Sequence, residues 1–424
     1  MSETVTALRT DTARRTDTAL SAALRAGVET PAYVYDLAEV RENTARLRSA
    51  LPEPSVLYYS LKANPHPLVL RTLREAGTLP EVCSPGELAA ALDAGWTADQ
   101  VLYTGPGKRD ADVGEALRLG VREFCVDSPT GLDQLDRLAG AAQTSVRCLL
   151  RVNDDRPAAG QGLAMTGVAS QFGADADWVR RQPQSFAGRA RVTVTGLHLY
   201  MGTNLTEVDE LLAQFAQSLR TATALGALLT EHGARIEVLD LGGGFGAPFA
   251  REGAPVDLGT LGARLASLLD REAGGWRGGA PRIAFESGRY LVGTAGTLLT
   301  KVLDAKKSHG RDVVVLDSGI HHLGGMAGLR RLPPLNPHLV APGRDAEAVP
   351  TLVAGPLCTP LDSWSRNAPL PPLRPGDPLA VPNVGAYGLY ASLLAFLGHP
   401  APVEVVVDGG DLLHTSRLHL TRKD

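Results

Sequence analysis

Val56-Leu57-Tyr58-Tyr59-Ser60-Leu61 is an unbroken run of apolar, aromatic and β-branched character that delivers Lys62, followed by Ala63-Asn64-Pro65. It reads as a strand with a lysine at its C-terminal end. Seven further runs of the same kind follow, at Glu81–Ser84, Val101–Thr104, Glu123–Asp127, Val146–Val152, Val194–Tyr200, Ile236–Leu241 and Arg282–Glu286. Stretches of Ala, Leu, Glu and Arg with helical period lie between most of them, which is the pattern of a parallel βα array. Eight repeats predict the α/β class and a closed (β/α)8 TIM barrel. In such a barrel the C-terminal strand ends build the active site, and the loops after the last two strands often hold a phosphate.

After residue 290 the helical period fades, and strand-like runs appear at Thr297–Leu303, Asp312–Leu316, Thr351–Ala354, Pro378–Val381 and Val403–Val407. These predict a C-terminal β domain. The Pro-rich segment Asn367–Pro378 is expected to be a rigid loop inside it. The expected organisation is an N-terminal extension at 1–27, read as a loose helix, then a strand at 28–40 joining the β domain, a barrel at 41–290 and the β domain at 291–424.

Composition narrows the function. The chain has 424 residues, 42 basic against 46 acidic, with a net charge of −4 and no Lys/Arg stripe, so nucleic acid is not an expected partner. No apolar run approaches the roughly 20 residues needed to span a bilayer. The first thirty residues lack the apolar centre of a signal peptide, and the expected location is cytoplasmic. Cys83, Cys125, Cys148 and Cys358 form no C-x-x-C pair and read as reduced thiols.

Only six lysines occur, so Lys62 inside an apolar run stands out. At a partly desolvated barrel mouth its neutral amine could attack a carbonyl, and the competing reading is a solvated strand-end lysine. Gly242-Gly243-Gly244-Phe245-Gly246, after strand seven, would let backbone N–H groups approach an anion near a helix start, and a tight turn explains the same glycines. Glu286 and Arg289 close strand eight. They read either as a structural ion pair or as an acid facing a heteroaromatic nitrogen beside a guanidinium. Cys358 lies in a turn-rich stretch with Asp362, and Tyr387 in Gly385-Ala386-Tyr387-Gly388. The pair His321-His322 lacks a carboxylate or thiolate at ligand spacing, and no metal is expected.

These residues resemble the fold type III pyridoxal-phosphate decarboxylases, the group of diaminopimelate, ornithine, arginine and lysine decarboxylases. Tyr59-Ser60-Leu61-Lys62-Ala63-Asn64 is similar to the family's cofactor-lysine motif, and Cys83-Ser84-Pro85-Gly86-Glu87 to its second-strand signature. Thr166-Gly167 with Ser170-Gln171-Phe172-Gly173 resembles a motif that usually carries lysine where Gln171 stands. Gly242–Gly246 resembles the phosphate loop, and Glu286-Ser287-Gly288-Arg289 the family's E-P-G-R, with Ser287 replacing proline. Cys358, Asp362 and Tyr387 complete the series, in order from about residue 30 to 395.

The resemblance implies pyridoxal 5′-phosphate as cofactor and a homodimer with shared active sites. It implies that Lys62 binds the cofactor aldehyde and that Glu286 faces the pyridine nitrogen. The loop Gly242, Gly243, Gly244, Phe245 and Gly246, with Thr203, Arg289 and Tyr387, would hold the phosphate. Cys358 would come from the other subunit and, like Lys62, could reprotonate the product.

Two departures bear on the substrate. The family's His-x-Gly-Ser is here Tyr200-Met201-Gly202-Thr203, so the ring-stacking position falls on Tyr200, and His198 on the same strand face could border the substrate. Thr359 stands where diamine-forming members carry an acid to pair the distal ammonium, although Asp362 could reach the same group. The expected activity is therefore decarboxylation of an α-amino acid or conjugate whose far end is not a free ammonium. Expected substrates are citryl or carrier-tethered compounds of a siderophore or natural-product branch. The alternatives are an ordinary diaminopimelate, ornithine or lysine decarboxylase, a racemase, or a silent regulator. Glu286 argues against the racemase, and Lys62 with Cys358 argues against the regulator.

Overall fold

The computed structural model describes residues 18–156, 166–323, 335–344 and 346–422. They group into two compact units. One comprises Thr44–Gly246 and Val256–Tyr290, and the other comprises the residues up to Asn43, Ala247–Pro255 and the chain from Leu291.

The first unit is the barrel. Strands β2 (Ser55–Ser60), β3 (Leu79–Val82), β4 (Leu102–Tyr103), β5 (Glu123–Val126), β6 (Val146–Asn153), β8 (Val192–Leu199), β9 (Val238–Asp240) and β10 (Arg282–Ser287) pair in parallel, and β10 returns to β2 to close the ring. All eight runs read from the sequence form strands. The short β7 (Ala174–Asp175) adds to the end of β6. Tyr58, Leu102, Cys125, Leu149, Val238 and Ala284, from six different strands, pack as one buried cluster. Continuous apolar runs follow from this burial, because parallel strands under helices face the interior on both sides.

Helix starts are written locally. After β3, Ser84 caps the helix Pro85–Asp93 by accepting from Glu87 N at 3.2 Å, while the Glu87 carboxylate accepts from Cys83 N at 2.7 Å. Ser128 caps Pro129–Ala141 in the same way, accepting from Gly131 N. In both, proline occupies the first turn, where its missing N–H costs nothing. Leu132, Leu135 and Ala139 then bury one face of the second helix, and each leucine contributes about 1.5–3 kcal/mol on leaving water.

The second unit is a β sheet. It runs β14 (Ser363–Leu370), β13 (Val349–Ala354), β12 (Arg311–Leu316), β11 (Gly296–Ser308), β1 (Ala32–Asp36), β16 (Val403–Asp408) and β17 (Asp411–Arg417), with β15 (Pro378–Val381) pairing to β11. The helix at 18–25, inside the stretch read as a loose extension, packs Ala19, Leu20, Ala22 and Ala23 against Val34, Leu299, Val405 and Val407. Residues 1–17 lie outside the described residues.

Three features differ from the sequence reading. β14 includes Asn367–Leu370 of the segment expected to be a loop, and β17 went unread. Both are edge strands, where proline costs no ladder bond and apolar alternation is not required. Ala247–Pro255, within the range read as barrel, belongs to the second unit. Asn383 Nδ2 donates to Arg251 O at 2.7 Å, and Ala250 O accepts from His338 N at 2.8 Å.

Candidate active site

Charged and polar groups from most of the barrel strands converge at its C-terminal end. Lys62 lies in the turn Leu61–Ala63 that ends β2, and its Nζ stands 3.3 Å from Glu81 Oε2 on β3. The lysine side chain is 48% exposed and the glutamate 3%. Burial alone would raise the Glu81 carboxyl, but the Lys62 ammonium and the hydroxyls of Ser60 and Thr104 outweigh it and hold the group below the usual carboxylate range.

On the other side of β2, Glu286 closes β10, buried beside His198 of β8 and Asp240 of β9. A side-chain nitrogen or oxygen from each of these three lies within 4.8 Å of the others. Burial, with the negative charges of Glu81 and Asp240, drives the Glu286 carboxyl well above its ordinary range. Asp240 is pushed up to about 7, by burial first, although it accepts from Gly242 N at 2.9 Å. His198 is kept neutral by burial and by the charges of Arg151 and Lys62. Arg151, on β6 in register with His198, is covered by the Phe172 ring at 4.5 Å.

The glycine loop is dictated by its neighbours. A Cβ at Gly243 would lie 2.2 Å from Glu286 O, one at Gly242 would lie 2.7 Å from Tyr200 Cδ2, and one at Gly246 would lie 2.3 Å from Leu205 O. Glu286 N donates to Gly242 O, and Leu205 N donates to Gly244 O at 2.8 Å. An isolated Leu205–Phe245 bridge ties the two loops, bringing the segment that carries Tyr200 and Thr203 onto the glycines. After β10, a Cβ at Gly288 would meet Ala63 Cβ at 2.8 Å, so the turn leading to Arg289 abuts the turn of Lys62. Lys62, Tyr200, Thr203, Gly242–Gly246, Glu286 and Arg289 thus belong to one rim of the barrel unit.

Several expectations are corrected. No helix starts at the glycine loop, the next one beginning only at Leu261, so any anion contact there comes from loop backbone. Phe245 turns its ring into the core, 6.0 Å from Phe215 and 6.4 Å from Tyr290, and can offer only its main chain. His198 is 2% exposed, with Nδ1 at Cys125 Sγ and Nε2 at Glu286. Asp362 is turned inward in the β unit, its oxygens accepting from Ile320 N at 2.9 Å and Leu357 N at 2.8 Å. Cysteine 358 is exposed on the same loop, and Thr359 accepts from Leu361 N at 3.3 Å. Tyr387 sits at φ +57°, a backbone conformation a tyrosine seldom adopts. His321 and His322 lie with ring centroids 3.5 Å apart and planes tilted by 37° in the β unit. Of the residues that the sequence reading missed, Glu81 carries one signal, an acid inside an apolar strand run. Thr104, Cys125, Arg151 and Asp240 carry none that is local.

The family described as "Pyridoxal-dependent decarboxylase, pyridoxal binding domain" matches residues 37–293, more than half of the chain. The chain belongs to the pyridoxal-dependent decarboxylases. It is 33% identical to the L-glutamyl-[BtrI acyl-carrier protein] decarboxylase of Niallia circulans, over 93% of this chain and 92% of the relative. It is 32% identical to the diaminopimelate decarboxylase of Methanothermobacter thermautotrophicus, over 90% of this chain and 87% of the relative. The diaminopimelate decarboxylase of Helicobacter pylori, solved with L-lysine, superposes with a TM-score of 0.78 at 25% identity, covering 91% of this chain and 93% of that one. The decarboxylase uses pyridoxal phosphate, and the barrel fits it. It combines a half-exposed lysine, a buried acid with an unpartnered oxygen, and glycines where the backbone must come close. Among the described residues no helix is long and apolar enough to cross a membrane.

Proposed function

We propose that this decarboxylase removes the α-carboxyl group from an amino acid whose distal end carries no free ammonium. The substrate class is a conjugate such as a carrier-tethered aminoacyl group, of the kind assembled into siderophores or other natural products. One observation carries the reading. In the loop Gly355–Asp362 the only acid, Asp362, is engaged by two backbone N–H groups, and the position that the family resemblance gives to an acid pairing a distal ammonium carries Thr359, a hydroxyl. A neutral hydrogen bond contributes about 0.5–1.5 kcal/mol against roughly 1.5–3 for a charged one, and a buried unpaired ammonium widens the gap. The carrier-protein specificity of the Niallia circulans relative supports the same reading.

Pyridoxal phosphate, when bound, supplies the electron sink that lets carbon dioxide leave the α-carbon. Lys62 Nζ would hold the cofactor aldehyde, and the Glu81 carboxylate 3.3 Å away would pair its ammonium when free. Glu286 would face the ring nitrogen and keep it protonated. Tyr200 would cover a ring face, while Thr203, the backbone of Gly242–Gly246, Arg289 and Tyr387 would hold the phosphate. Cys358 Sγ or Lys62 Nζ returns a proton to the α-carbon. Cys358 is contributed by a second copy, so the working unit is a homodimer.

The deciding experiment is carbon dioxide release from free lysine, ornithine and diaminopimelate beside carrier-bound and citryl amino acids. Turnover of the conjugates is expected, with free diamino acids gaining activity only in Thr359→Glu. Efficient turnover of a free diamino acid by the unmodified enzyme overturns the reading. That outcome would establish the second one, diaminopimelate or lysine decarboxylation, which the diaminopimelate decarboxylase relatives favour.

A further inference from the structure

Glu286 has a neighbour that the reaction as outlined leaves without a task. His198 Nε2 lies 3.4 Å from Glu286 Oε1, and its other nitrogen, Nδ1, lies 3.3 Å from Cys125 Sγ. All three side chains are buried. Nε2 and Oε1 are each without a hydrogen-bond partner, separated by a gap a few tenths of an ångström from closing. Buried polar atoms are rarely orphaned, and two orphans facing each other call for an explanation.

We infer that His198 is a positioning residue for Glu286, and that the Cys125 thiol selects the tautomer in which it acts. The inference rests on the reading that Glu286 faces the cofactor's ring nitrogen.

A neutral imidazole has one donor and one acceptor. If Nδ1 carried the proton, it would point at a sulfur, a weak acceptor, and the Nε2 lone pair would face the carboxylate oxygen, a repulsive contact once Glu286 is charged. If Cys125 donates S–H to Nδ1, the proton sits on Nε2 and points at Oε1. Burial keeps Cys125 a thiol, with the Asp127 charge acting in the same sense, so its proton is available. Oε1 is then held and the other oxygen is left for the ring nitrogen. The groups acting on Glu286 are Glu81 and Asp240, which oppose its charge, and Lys62 and Arg151, which favour it. The Nε2–H donor joins the favourable side, as an uncharged donor that adds no further positive charge beside the ring nitrogen.

The test uses the full chain stripped of cofactor and titrated with pyridoxal phosphate from pH 5.5 to 9, by fluorescence, in the unmodified protein and in Cys125→Ser, Cys125→Val, His198→Gln and Glu286→Gln. Serine keeps a donor, and Cys125→Ser should bind within about threefold of the unmodified protein. Valine keeps the bulk without the donor. Cys125→Val should bind roughly tenfold more weakly, the loss of about one hydrogen bond to a charged group, with the acid limb of binding moved to higher pH. His198→Gln, whose amide can still donate, should fall between them. Imidazole 15N resonances of the unmodified holoprotein should show His198 protonated at Nε2. Protonation at Nδ1, or unchanged affinity and pH limb in Cys125→Val, overturns the inference, and the resonances decide it if the valine variant does not fold. If Glu286→Gln binds as tightly as the unmodified protein, the underlying reading of Glu286 has failed. If Glu286→Gln weakens binding while Cys125→Val does not, only the role of His198 has failed.

Discussion

Lys62 Nζ stands 3.3 Å from Glu81 Oε2, a half-exposed cation against a buried carboxylate that Thr104 and Ser60 also engage. Lys62 thus has a counter-ion on the next strand. Pairing β2 with β3 in register, Ser60 opposite Glu81, puts it there.

Borohydride treatment of the holoprotein should fix pyridoxal phosphate on the peptide containing Lys62, and Lys62→Ala should leave none attached. Mass mapping checks this. An adduct on Lys108 or Lys301 would remove Lys62 from the site.

Asp240 should report the buried acids through the pH dependence of stability. Its carboxyl is raised to about 7 in the fold, so folded protein binds a proton that unfolded chain releases above its ordinary value near 4. That contribution to stability is present at low pH and is lost as pH rises through about 7. Asp240→Asn apoprotein should therefore gain in Tm relative to the unmodified apoprotein between pH 5 and 8. A difference that stays flat across this window would show that Asp240 is ionised in the fold.

Gly243→Ala should cost about 1–3 kcal/mol through forced displacement. The added methyl would sit 2.2 Å from Glu286 O, so cofactor loading should fall with stability. Urea unfolding and cofactor absorbance measure the two, and an alanine variant that loads normally would show that the loop yields.

Tyr200 packs against Gly242, and an imidazole can cover a ring face as a phenol does. Tyr200→His should keep cofactor affinity, whereas Tyr200→Ala should weaken it several-fold. Equal affinity in all three would take Tyr200 off the cofactor.

Mixing inactive Lys62→Ala and Cys358→Ala proteins should restore roughly a quarter of the activity, because half of the exchanged dimers carry one intact site. No recovery despite demonstrated subunit exchange would place both residues in one subunit's site.

The sequence by itself determined the barrel, because strands buried on both faces must be continuous apolar runs and their spacing carries the helices between them. It likewise marked Lys62, Gly242–Gly246 and Glu286, each at the end of such a run. Only the tertiary structure decided what those residues meet. Cys125 and His198 are 73 residues apart and touch because β5 and β8 both flank β6, a relation no local periodicity encodes. Asp362 looks free in a turn-rich stretch, yet the fold brings the backbone N–H groups of Ile320 and Leu357 onto its carboxylate, with Gly319 and Gly355 leaving the space. Edge strands β14 and β17 escaped notice for the opposite reason. With one side unpaired, they need neither alternation nor the exclusion of proline, so the chain there carries little of the signal by which a strand is read.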